Sequence, residues 1–242
     1  MKKIIAFTLA ETLIVMGIIG IVSALTLPNL NSSTGEKEKV AKVKKIYQNL
    51  EDALGRAQAV YGPVNEWFLN DSTATAQATR FGDRITEFMK VSKNCGVTTN
   101  QKCFSNTTPK MINGQSGSMG DYDASNQSYK FQVADGTSFS LTADLGHTRM
   151  LLHFNIDGPK GKNVAGNDVF CLLFNTSTNE ITINPNIDIG LLNSTGWGQD
   201  ATAWVINFDN MDYLKAGTDG KCKNNTSKVL NATATPPVTT CK

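Results

Sequence analysis

Residues 7–28, FTLAETLIVMGIIGIVSALTLP, carry a single charge, at Glu11. No other feature restricts the chain as much. At about 1.5 Å rise per residue, a helix of this length crosses a hydrocarbon core of roughly 30 Å. An acid inside such a segment costs about 2.5–3.5 kcal/mol on insertion scales, so an intramembrane carboxylate calls for a partner and a purpose. A basic leader, MKKIIA, precedes the run.

AFTLAETLIVMGIIGIVSALTLP resembles the prepilin-type cleavage and methylation segment of type IV pilins and type II secretion pseudopilins. The resemblance implies a cut by prepilin peptidase between Ala6 and Phe7, after which Phe7 becomes an N-methylated first residue. Glu11 matches the family's acid at the fifth mature position. Pro28 matches its helix-interrupting proline, and Gly17 and Gly20 match small residues of the first turns. The residue before the cut is usually glycine and here is Ala6. In such a subunit the apolar helices bury against one another, and Glu11 neutralises the α-amino group of Phe7 on a neighbour. A lone buried carboxylate is costly, so the pairing sets the axial register.

Two other readings compete. In an ordinary secretory signal, Lys2 and Lys3 form the basic region, Thr12 to Val22 the apolar run, and Val22-Ser23-Ala24 a small-residue cleavage site. The chain would then be a secreted, disulfide-stapled binding module. Against this, Glu11 abuts the run, and apolar character continues to Leu27 and Leu30. The second competitor is a plain signal anchor.

Lysine and arginine total 23 against 21 acids, and loss of Lys2 and Lys3 balances them. A neutral mature chain has no general electrostatic attraction to nucleic acid. Of five cysteines, Cys171 lies in the apolar run VFCLLF and reads as a buried free thiol. Cys95, Cys103, Cys222 and Cys241 allow three connectivities, the most local joining Cys95 to Cys103 and Cys222 to Cys241. A zinc site is disfavoured because there is no CxxC, and His147 and His153 are not at ligand spacing to any cysteine.

Past Pro28, the residues Val40, Val43, Ile46, Tyr47, Leu50, Leu54, Ala57 and Tyr61 form an amphipathic stripe. Lys37, Lys39, Lys42, Lys44 and Lys45 lie mostly off it and read as a solvated face. Gly62-Pro63 stops the helix. The pattern predicts one long helix over 7–61, loosened between Pro28 and Gly35. Residues 64–78 then read as a loop, and 79–92 as a second helix bearing Phe81, Ile85, Phe88 and Met89. Residues 95–122 read as a long polar loop. Alternation at 129–133 and 138–142 around Asp135-Gly136 predicts a hairpin. Further strands are expected at 150–156, 169–174 and 180–183, a helix or irregular cover at 201–214, and a polar tail from 218. The fold class is α+β: a long N-terminal helix, transmembrane in its first half, packed by a C-terminal pilin-like head with an antiparallel sheet. The expected division is a cleaved leader (1–6), an assembly helix (7–28), its amphipathic continuation (29–62) and the head (63–242).

The most motif-like stretch of the head is 155–168, NIDGPKGKNVAGND. It is similar to a loop of pseudopilin-like heads. Oxygen donors at Asp157, Asn163, Asn167 and Asp168 make it a calcium candidate. Lys160 and Lys162 oppose a dense anionic cage, and a turn whose Asp and Asn side chains serve its own backbone is the simpler reading. The stretch fails the P-loop pattern, with Ile156 and Asn163 in the wrong places. Neither histidine sits in a nucleophile-elbow or HExxH context. No residue is assigned a catalytic role. The resemblance implies a structural subunit of a filament that associates with like or related subunits, prepilin peptidase and an inner-membrane assembly platform. It would be single-pass in the bacterial inner membrane with the head outside the cytoplasm, and then part of a filament in the periplasm or on the cell surface. Secretion pseudopilin, major or minor pilin, and DNA-uptake pilin are the open roles; the last would need a basic, aromatic patch, towards which a neutral head offers little.

Overall fold

The computed structural model describes residues 9–69, 71–105, 107–116, 122–161, 163–194 and 198–242, with 23–34, 147, 191, 193 and 194 described as backbone only. The chain divides between Lys39 and Val40 into two compact units. Helix α1, Leu9–Tyr61, is assigned as α-helix throughout, including Pro28 and Gly35. An interior proline removes one i→i−4 hydrogen bond, and here the backbone stays helical on both sides of it. The expected loosening does not occur.

Within the second unit, α1 buries Val40, Val43, Ile46, Leu50, Leu54 and Ala57, the stripe expected from its spacing, and adds Ala53. Tyr47 and Tyr61 flank the stripe, half-buried. Basic residues off the stripe make contacts. Lys42 donates to the Ile156 carbonyl, Lys44 pairs with Asp209, and Lys45 lies 3.7 Å from Asp135.

After a 3-10 turn at Val64–Phe68 comes α2, Ala74–Thr86. The Thr73 hydroxyl accepts the Ala76 N–H at 3.2 Å, a side-chain N-cap that starts this helix five residues before its predicted start at 79. It also ends earlier. The Phe88 and Met89 amides donate to the Ile85 and Thr86 carbonyls in tight turns, and the chain then leaves as strand β1, Val91–Gly96. The predicted helix over 79–92 is therefore corrected at both ends. The polar loop begins after a strand rather than at Cys95.

The main sheet has six antiparallel strands in chain order: β1, β2 (Ser128–Val133), β3 (Ser138–Asp144), β4 (Arg149–Asn155), β5 (Val169–Asn175) and β6 (Glu180–Thr182). One face holds a row of four opposed phenylalanines, Phe131, Phe139, Phe154 and Phe170. Successive ring centroids are 4.8, 6.2 and 5.7 Å apart. Each fully buried ring stabilises the fold by roughly 1.5–3 kcal/mol. This face, the α1 stripe and α2 belong to one core. Gly82 lets α2 sit directly on the sheet, because a Cβ there would lie 2.3 Å from the Tyr129 ring.

Beyond β6 come α3 (Ile189–Ser194), α4 (Gln199–Phe208), a 3-10 turn at Asp212–Lys215 and the hairpin of β7 (Lys221–Cys222) with β8 (Asn225–Val229). The β6 pairing covers only Leu173–Asn175 of β5. Helix α4 closes the remaining edge: Thr202 Oγ1 accepts the Cys171 N–H at 3.2 Å. Gly198, at φ +84°, brings the start of α4 so close that a Cβ would stand 3.1 Å from the Phe170 Cα. A helix laid over an edge strand is one way a fold shields that edge from pairing with another chain.

Candidate functional site

Two regions carry functional potential, and each arises from a pattern in the sequence. The first is the described apolar part of α1. From Leu9 to Val22 its large side chains are exposed all round, with Leu9 at 79% and Met16 at 67%. Gly17 and Gly20 lie on this helix with open space where a Cβ would stand. Glu11 is the only charged residue of the segment and is exposed. The described side chains, 9–22, rise over about 21 Å, short of a hydrocarbon core of about 30 Å. Among the described residues no helix is long and apolar enough to cross a membrane. Ala6 and Phe7, the expected processing site, lie outside the described residues, as does the side chain of Pro28.

The second region is the sheet face opposite the phenylalanine row. Strand alternation places Ser128 and Lys130 of β2, Ser138 and Ser140 of β3, His153 and Asn155 of β4 and Cys171 of β5 on it, and every one is buried. Their cover is the long segment after β1. Asp123 fixes that segment, its carboxylate accepting the amides of Lys102, Cys103 and Phe104 at 2.8, 3.0 and 3.2 Å. Phe104, Met111 and Tyr122 form a small second core there with Ala165 and Val169.

One cross-strand row on this face runs Lys130, Ser140, His153, Cys171, each opposite the next. It brings together an amine, a hydroxyl, an imidazole and a thiol. Burial decides what they can do. Lys130 donates to the Ser125 and Asp123 carbonyls. Burial holds the His153 imidazole down to about pKa 3, and it pushes the Cys171 thiol well above its ordinary value. Both are neutral at pH 7, so the pair offers hydrogen-bonding capacity without a thiolate or an imidazolium. The sequence reading placed His153 on a strand but missed this row. The available signal was the polar residue at alternate positions of three successive strands.

The calcium candidates are not gathered around a common point by their contacts. Asp157 is exposed, and its amide donates to Asn155 Oδ1 at 3.0 Å. Asn163 turns inward, accepting from Asn155 at 2.6 Å and donating to the Ser105 and Thr107 hydroxyls. Asn167 donates to the buried Asp168 carboxylate at 2.8 Å. These are the bonds of a turn that serves itself and pins the covering segment. Among the described residues, no group of three or more His, Cys, Asp or Glu side chains could hold a metal ion.

The most local cysteine pairing forms: Cys95 is bonded to Cys103 and Cys222 to Cys241, while Cys171 is free and buried. The first bond ties the covering segment to β1. The second ties the C-terminal tail to the β7–β8 hairpin, where the Cys241 amide also donates to Asp212 at 2.8 Å. Comparison with family models, with curated proteins and with solved structures finds no match.

Proposed function

We propose that the chain is a filament subunit of the type IV pilin or type II secretion pseudopilin kind, and that α1 is its means of assembly. The observation that carries this reading is the exposed apolar segment Leu9–Val22 with Glu11 as its sole charge. A contiguous apolar surface of this extent needs lipid or other subunits to cover it. The unit from Val40 onward carries its own core and two disulfides, which suits a head working outside the cytoplasm.

In this reading residues 7–28 cross the inner membrane once until prepilin peptidase cuts between Ala6 and Phe7. The subunit then leaves the bilayer through an assembly platform and packs helix against helix with its neighbours. Glu11 meets the new α-amino group of Phe7 on an adjacent subunit, with Gly17 and Gly20 allowing close approach of helices. No residue has a catalytic role, and no cofactor is invoked.

Intact-mass and N-terminal peptide spectrometry of the membrane-bound and shed protein tests the proposal. A chain beginning at N-methylated Phe7 supports it. A chain beginning at Leu25 has lost the assembly helix, overturns the proposal, and leaves the head as a secreted module.

A further inference from the structure

The row Ser140, His153, Cys171 lies beneath Tyr122, whose ring centroid is 4.6 Å from that of His153 at an interplanar angle of 34°. Every member is nine-tenths or more out of solvent. Yet Ser140 Oγ, both His153 ring nitrogens and the Tyr122 hydroxyl have no hydrogen-bond partner among the described residues. Each such orphan costs about 1–3 kcal/mol, and native folds leave few. Here they belong to three neighbouring side chains, Ser140 opposite His153 in the ladder and the Tyr122 ring against the His153 ring.

The chemistry of the spot selects its occupant. A neutral imidazole offers one donor and one acceptor, and each hydroxyl offers both. That mixed set matches water, which has two donors and two acceptors and needs two to four polar partners when buried. A divalent cation finds one imidazole, a protonated thiol and no carboxylate in the row. An anion finds a neutral ring, and the Lys130 amine of the same row is engaged with the Ser125 and Asp123 carbonyls.

We propose that the head contains a buried ordered-water site bridging Ser140, His153 and the Tyr122 hydroxyl. The water satisfies the polar side of the sheet and holds the covering segment, through Tyr122, onto β3 and β4. The inference does not depend on filament assembly, and its test reads only the folded head.

The sign of two mild substitutions tests it. Tyr122→Phe and Ser140→Ala each delete one hydroxyl, and the full chain in mild detergent is unfolded in urea at pH 7. If water bridges these groups, each deletion removes a partner and raises the unfolding equilibrium constant about fivefold. The midpoint then falls in both variants. Without the water each hydroxyl is a desolvated orphan, so its deletion leaves the midpoint unchanged or raises it; either result in either variant overturns the site. Water oxygen-17 relaxation dispersion gives a second readout. A long-lived internal water present in the native chain and lost in the double variant supports the assignment, and an identical dispersion in both overturns it. A rise in midpoint on adding Zn²⁺ to the native chain, absent in Cys171→Ala, would assign the spot to a metal and also overturn it.

Discussion

His153 should make the head acid-sensitive, and the size of the effect follows from its burial. Its folded pKa is held down from 6.5 to about 3 by burial alone. The titratable groups beside it, Tyr122 above and Cys171 opposite, are pushed up by burial and stay neutral through the acid range. Lys130, two positions along the row, is already engaged. The unfolded chain therefore binds a proton that the folded chain refuses between about pH 6.5 and 3. Stability is full above pH 6.5 and falls as the pH drops through this window, by about 1.4 kcal/mol per unit. The loss is about 3 kcal/mol at pH 4.5 and about 4 kcal/mol by pH 3, a large share of a domain's total stability. The assay is the urea midpoint of the full chain in mild detergent from pH 7.5 to 4.5, native against His153→Gln. Carboxylate titration is common to both chains, so the difference in their pH slopes isolates His153. The native chain should lose about 3 kcal/mol more than the variant over that range. Equal slopes would refute the argument, whatever the variant costs at pH 7.

Four further outcomes can be checked. Gly82→Ala forces a methyl into the Tyr129 ring, whose hydroxyl is held by Asp83 at 2.8 Å, and should cost about 1–3 kcal/mol in a thermal or urea melt. Opening the Cys222–Cys241 bond, with a separation of 19 residues, should cost about 3 kcal/mol, and opening Cys95–Cys103, with a separation of 8, about 2.5, measured on the paired serine variants. Cys171 should resist a thiol reagent in the native chain and react at the rate of global unfolding, which timed alkylation and mass mapping reads directly. Glu11→Ala should abolish or sharply reduce filament yield by electron microscopy while leaving the urea midpoint of the head unchanged; undiminished filaments would remove the role proposed for this carboxylate.

Much of the architecture was legible because the relevant forces are local. The α1 stripe, the Asp135-Gly136 hairpin and the apolar strands β4 and β5 announce themselves by period. They appear close to where the period places them, since each has one face committed to the core. Strand β1 was hidden for the opposite reason. Its first four residues, Val91–Asn94, are exposed or half-buried, and two irregularities in its register break the alternation. Phe88 and Met89 extended the helical period of α2 past its true end. The deciding fact was the turn at Ile85 to Met89, which periodicity does not see.

The second sheet face was missed for a deeper physical reason. Alternating Ser, Lys, His and Asn on successive strands reads as a wetted surface, and by composition it is one. What buries it is the long, weakly patterned segment between β1 and β2, anchored by Asp123, by Asn163 and by the Cys95–Cys103 bond. A polar face covered by a loop must satisfy its hydrogen bonds within the loop or with trapped solvent, because desolvation is not offset by apolar contact. Lys130 and Asn155 take the first route, finding the Ser125 carbonyl and the Asn163 amide. Ser140, His153 and Tyr122 find no partner among the described residues. Where the polar groups outnumber the partners that a loop can supply, a sheet face of this composition must keep part of its hydration, and the row at His153 is where that demand is concentrated.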